Sequence, residues 1–308
     1  MKYVLLLPVI MVLLVLVGTA AAHEEVDIVI TNVWARPTTG EPPAMAGHGA
    51  HSSDATPMHS GSAFPSAAYM TIENRGAHPV ALVSASTSIA AMVQIHETTV
   101  VDNVARMGEV EDGIIIPAGE SAELRPGSFH IMLMDLMRDL SPGEAIALTL
   151  TFELRETDAE PMEMVVGAVV QDTPPELTDL VVTQAMIFDS ANPEPPHAVE
   201  EALAGIELPE GMLAFITVEN RGESDAPFAG ALHMDETAPL YALIDGELFE
   251  VDEYDMGSGE SAQFVVAFGA LDMMGIDTGA MPFTLTLSDD RVLPVAGVLA
   301  DGLHEDHP

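Results

Sequence analysis

Residues 129–137 read FHIMLMDLM and place one histidine and three methionines close together in a chain that has no cysteine. In a strand, successive side chains point to opposite faces. Phe129, Ile131 and Leu133 then make an ordinary core face, while His130, Met132 and Met134 share the other, about 7 Å between successive members. Upstream, His96 and Met107 lie in QIHETTVVDNVARM, which reads as two strand arms meeting near Val101-Asp102-Asn103. A connecting loop with an even number of residues sets His96 and Met107 on one face, a diagonal apart, and an odd loop separates them. Two imidazoles and two thioethers form a soft donor set that selects Cu(I), whereas zinc, calcium and magnesium prefer thiolate, imidazole or oxygen. With no thiol available, any copper or zinc site must be built from His, Met and carboxylate. The competing reading is packing: methionine fills irregular core gaps, and the chain has 19 of them. Spacing alone leaves both readings open.

The elements that must position these residues read as short alternating strands. DIVITNVWA, AAYMTIENRG, FHIMLM and IALTLTFEL are separated by turn signals such as N-R-G, P-A-G and S-P-G. Internal repetition organises them. AYMTIENRG at 68–76 returns as AFITVENRG at 214–222, and GESA at 119–122 returns at 259–262. LTLT at 148–151 is matched by FTLT at 283–286, and VVGAV at 165–169 by PVAGV at 294–298. A repeat this long is a domain duplication, not a solenoid. Many short strands at this spacing predict an all-β fold of two tandem Greek-key β-sandwich domains. Residues 1–22 have the charged, apolar and small-residue order of a signal peptide ending at Ala22, though the apolar run is also long enough for an uncleaved anchor. The expected boundaries are a first domain at 23–172 with a long loop at 38–66, a linker at 173–180, a second domain at 181–303 and a tail at 304–308. A short helix is expected near Ala198 to Ala204.

The run His96-x10-Met107-x22-His130-x-Met132 carries HET after the first histidine, IPAGES before the second, and HIMLMDL followed by LSPGEAIALTLTFE. This text resembles the periplasmic copper chaperone family PCuAC, over about residues 27–170. The resemblance implies a cupredoxin-like fold and one Cu(I) held by His96, Met107, His130 and Met132, with Met134 a packing neighbour. The family spacing usually has 21 residues where 22 stand here, which puts one extra residue near Glu111-Asp112-Gly113. It implies transport, not catalysis: copper accepted in the cell envelope and passed by ligand exchange to the CuA centre of cytochrome c oxidase or to another chaperone. No nucleophilic triad, catalytic carboxylate pair or phosphate loop rises above background in the sequence.

The loop at 38–66 contains Met45, His48, His51, Met58 and His59 amid Gly, Ala and Ser, a composition suited to gathering metal, Cu(II) included, or to doing nothing. In the second unit His233, within HMDET, echoes the first unit's HET. FGALDMM at 268–274 reads as the counterpart of FHIMLM without its histidine, so this copy is expected to be degenerate. A formal charge of −40 repels nucleic acid and anionic lipid and leaves a membrane role only to an uncleaved signal. Three functions remain open: a copper carrier, a copper-sequestering protein of the same fold, and an acidic exported scaffold whose methionines are only core.

Overall fold

The computed structural model describes residues 26–38, 62, 64–101, 104–155, 159–175, 178–191, 197–233, 236–269, 279–287 and 292–300. The expected signal segment, Met45, His48, His51, Met58, His59, Met273, Met274 and the tail lie outside the described residues. The first unit contains β1 (Ile28–Ala35), β2 (Ser66–Asn74), β3 (Val80–Ser86), β4 (Ala90–Val101) and β5 (Val104–Glu109). It continues with β6 (Ile114–Ile116), β7 (Ser121–Leu124), β8 (Phe129–Leu136), β9 (Ala145–Leu154) and β10 (Met162–Val170). The second unit opens with β11 (Leu180–Asp189), α1 (His197–Leu203), β12 (Met212–Asn220), β13 (Ala226–His233) and β14 (Glu236–Ala238). It closes with β15 (Leu240–Ile244), β16 (Glu247–Val251), β17 (Tyr254–Met256), β18 (Ser261–Gly269), β19 (Ala280–Leu287) and β20 (Val292–Leu299). The chain is all-β as expected, with α1 where the short helix was placed. No helix among the described residues is long and apolar enough to cross a membrane.

Each unit is a ten-stranded sheet folded over its own core. The order is β5-β4-β8-β2-β1-β10-β9-β3-β6 in the first and, read in the same sense, β16-β15-β18-β12-β11-β20-β19-β13-β14 in the second. β17 pairs with β13 as β6 does with β3, and β18 does the work of β7 and β8 together. Among the described residues only β1–β10 and β11–β20 pair in parallel, closing the start of each unit onto its end. Strict alternation builds the core: in β9, Ile146, Leu148, Leu150, Phe152 and Leu154 point inward and the threonines between them do not.

The repeated ENRG and GES texts form one corner, present twice. The buried Asn74 amide donates to His78 O at 2.8 Å and Ile116 O at 3.0 Å, and its Oδ1 accepts from Gly76 N at 3.1 Å. Asn220 repeats this with Ser224 O and Met256 O, both at 2.9 Å, and with Gly222 N. Gly119 and Gly259, at φ of 73° and 74°, take the left-handed turn that lets their N–H groups reach the carbonyls of Asn74 and Asn220.

The same motif also joins the two units. Arg75 bridges Glu73 at 3.0 Å and Glu219 at 2.9 Å, and Arg221 bridges Glu219 at 3.1 Å and Glu73 at 2.5 Å. Equivalent residues of the two copies therefore meet one another, as across the two-fold axis of a symmetric dimer. Toward the other end of β1, where Val169 pairs with Trp34, Ala145, Val169, Ala280 and Ala296 form a cluster of small side chains from both units. A Cβ on Gly167 would lie 2.3 Å from Ala296 O, so the close approach of β10 to β20 requires glycine there.

Arg75 holds the Glu219 carboxyl below the usual range, against the opposing pull of burial, and Arg221 adds to the effect. A depressed carboxylate stabilises the fold in full above its unfolded value of about 4.3, and that stability is lost as pH falls through the lower folded value. Calorimetry between pH 6 and pH 3 should therefore show a steeper loss of thermal midpoint in the wild type than in Glu219→Gln.

Candidate metal centre

β4 lies between β5 and β8, and the two registers assemble the outer face of this strand trio. On one side His96 stands opposite His130, Gln94 opposite Met132 and Met92 opposite Met134. On the other, Thr98 stands opposite Met107 and His96 opposite Glu109. Val101 pairs with Val104, so two residues connect the arms and the even-loop condition is met. Thr98 and His96 share a face, and Met107 is therefore a diagonal neighbour of His96 on that face. The intervening Ile95, Ile131 and Leu133 are buried in the core, and Phe129 packs against it. Between Met107 and His130 the chain turns at Gly113, φ 72°; its N–H donates to Val110 O, and a Cβ there would lie 2.5 Å from Leu82 O.

The two imidazole rings lie 5.8 Å apart, centroid to centroid, edge to face. His130 is 4% exposed, whereas Met107, on the outermost strand, is 47% exposed. Hydrogen bonding differentiates the ring nitrogens. His130 Nδ1 sits 3.0 Å from Ser128 O and so carries the proton, which leaves Nε2 with the lone pair. Burial is the main cause that lowers the His130 pKa from its ordinary 6.5; His96 also lowers it, and the Ser128 carbonyl opposes. A neutral ring is the form that binds metal. His96 Nε2 lies 3.1 Å from Gln94 Oε1, while its Nδ1 is buried without a hydrogen-bond partner. An orphaned buried ring nitrogen beside a second imidazole and thioethers fits a soft cation. No trio of His, Cys, Asp and Glu side chains that could hold a metal ion gathers among the described residues.

Sequence reasoning missed the remainder of the face. Trp34 and Tyr69 stack at 4.6 Å, and Tyr69 lies 6.3 Å from His130, both aromatics being buried on the donor side of the sheet. Burial raises the Tyr69 pKa, and the adjacent Arg36 opposes that rise. A β-bulge between Thr31 and Trp34, with Asn32 at φ 54°, turns Trp34 away from the core face of Ile28 and Ile30, and simple alternation cannot foresee this. Met92 and Gln94 were legible from alternation along MVQIHET, and Glu109 from the pairing with His96.

The second unit differs from what its sequence suggested. His233 ends β13, the counterpart of β3, and pairs with Glu236; it is not on the strand equivalent to the one carrying His96. FGALDMM is not the counterpart of FHIMLM either. β18 pairs Val266 with Ala214 as β8 pairs Ile131 with Ala68, so FHIML corresponds to FVVAF at 264–268. Text similarity slipped because β7 and β8 are separated by a turn that β18 lacks. Tyr241, Leu248, Val265 and Ala267 stand where His96, Met107, His130 and Met132 stand. Val265 and Ala267 pack with Phe188, Leu213 and Phe215 beneath Val199 and Leu203 of α1, and Tyr241 and Leu248 pack against this cluster. A helix thus covers, as apolar core, the face that the first unit furnishes with His and Met.

An all-β unit with this paired strand face has sequence relatives. Residues 28–160 match the family described as "Putative lipoprotein LpqE-like". The chain is 35% identical over 116 residues to a "Putative lipoprotein" of Leifsonia xyli subsp. xyli, which covers 38% of this chain and 69% of that protein. It is 32% identical over 88 residues to an "Uncharacterized protein" of Rickettsia prowazekii, 29% of this chain and 49% of that one. The chain belongs to the LpqE-like family. The sequence holds no cysteine. Among solved structures it is similar to the apo PCuAC domain from PmoF1, 19% identical over 48% of this chain and 98% of that domain, TM-score 0.32. It is also similar to CuI-DR1885 from Deinococcus radiodurans, 26% identical over 46% and 78%, TM-score 0.30.

The division of β8 into two faces has a measurable consequence. Ile131→Ala, in the core, should cost about 2–5 kcal/mol of unfolding free energy. Met132→Ala, half-buried on the outer face, should cost less than half as much, and chemical denaturation of the two variants checks it.

Proposed function

We propose that the protein is an exported copper carrier that binds one Cu(I) with His96, Met107, His130 and Met132 and passes it on by ligand exchange. The observation that carries this reading is the cross-strand pair His96–His130, with an unpartnered buried nitrogen on one ring and thioethers at the neighbouring positions of the same face. Two neutral imidazoles and two thioethers leave the Cu(I) charge uncompensated, which suits binding that must be reversible. The gradient of exposure suits handover: Met107 on the edge strand can release first, while His130 stays enclosed. An acceptor such as the CuA-bearing subunit of cytochrome c oxidase, or another chaperone, would approach from the β5 side. Met134, opposite Met92, is a flanking thioether in this reading. The second unit, with Tyr241, Leu248, Val265 and Ala267 at the four positions, acts as a packing partner and holds no copper at that face.

Gel filtration after Cu(I) loading should retain one copper per mature chain. The double variant His130→Ala, Met132→Ala should lose it, and His233→Ala should keep it. Binding restricted to the folded state should also raise the thermal midpoint of the wild type. A wild type that retains no Cu(I) and gains no stability contradicts the reading and leaves the acidic scaffold in its place. A protein that holds Cu(I) yet transfers none to an apo CuA domain is a sequestering protein.

A further inference from the structure

The donor face includes two polar residues that no copper ligand set requires. Gln94, His96 and Glu109 share it, since Gln94 is two residues from His96 along β4 and Glu109 stands opposite His96 on β5. Gln94 Nε2 donates to Glu109 Oε2 at 2.8 Å, and Gln94 Oε1 faces His96 Nε2 at 3.1 Å. The order of these groups fixes every proton. A carboxylate only accepts, so the amide of Gln94 must turn its NH2 toward Glu109 and its carbonyl toward His96. That carbonyl also only accepts, so His96 must carry its proton on Nε2. The lone pair is then left on Nδ1, the buried ring nitrogen that has no partner. The second histidine is held in the opposite sense, Nδ1 donating to Ser128 O.

We propose that Glu109 and Gln94 are positioning residues that lock His96 in the Nε2-protonated tautomer and so present Nδ1, rather than Nε2, to Cu(I). This rests on the copper reading above. Neither residue touches the metal: Glu109 acts on Gln94, and Gln94 acts on the ring. The two histidines then bind through different nitrogens, Nδ1 of His96 and Nε2 of His130. Outer partners of this kind typically change metal affinity by about 10–100-fold when removed.

The test has a metal-free half and a metal-bound half. Long-range 1H–15N correlation spectra of the metal-free mature protein should show His96 wholly as the Nε2-protonated tautomer. In Gln94→Leu and Glu109→Gln the ring should populate the other tautomer, with the His130 signals and the thermal midpoint unchanged. Competition against a chromophoric Cu(I) chelator should then show both variants binding about 10–100-fold more weakly than the wild type, with stoichiometry preserved. A wild-type His96 protonated on Nδ1, or variants with wild-type tautomer and affinity, overturns the positioning role while the copper site stands. Failure of the wild type to retain Cu(I) removes the site itself and this inference with it.

Discussion

The cross-strand register of β4 against β8 is the constraint on which the rest of the site depends. It sets His96 opposite His130 and, one residue along, Ile95 opposite Ile131. A slip of β8 by one residue would reverse its faces, sending His130 into the core and Ile131 to the surface and separating the two imidazoles. Burial of Ile95, Ile131 and Leu133 therefore holds the two rings 5.8 Å apart. Hydrophobic energy, which has no directional preference of its own, is converted by the two-residue period of the strand into a directed arrangement of donors.

The two units share one strand order and differ in how a face of it is used. Both units keep the strand order, the parallel closure and the asparagine corner. They differ in what covers the outer face of the β4-like strand. In the second unit α1 lies over it and Tyr241, Leu248, Val265 and Ala267 stand there, so the surface becomes a second layer of core. In the first, His96, His130 and Met132 occupy those positions beside the Trp34–Tyr69 pair. The corner motif also carries the ion pairs between the two units. Glu73, Arg75, Glu219 and Arg221 face one another as equivalent residues and link the copies by an arrangement that each could equally make with itself.

Much of this was legible in the sequence because it follows from alternation. The strand identity of FHIMLM, its split into two faces, and the even-loop condition on His96 and Met107 all rest on a period of two, and the registers agree with them. The role of ENRG was not legible. As text it marks a repeat, and only the fold shows Asn74 closing a corner while Arg75 reaches across to the other copy. The second unit misled for a specific reason: the turn between β7 and β8 has no counterpart in β18, so matching methionines selected FGALDMM when the register selects Phe264 to Phe268. Trp34 was hidden by a bulge, which reverses facing within a strand and leaves no dependable mark in a single sequence.

The central claim is that the outer face of β4, β5 and β8 is a two-imidazole, two-thioether site for Cu(I). X-ray absorption at the copper edge of the Cu(I)-loaded mature protein tests it most directly. The account predicts a first shell of nitrogen and sulfur scatterers in equal number, with the sulfur contribution reduced in Met132→Ala. A shell of nitrogen and oxygen alone, or a sulfur signal untouched by that substitution, would contradict it.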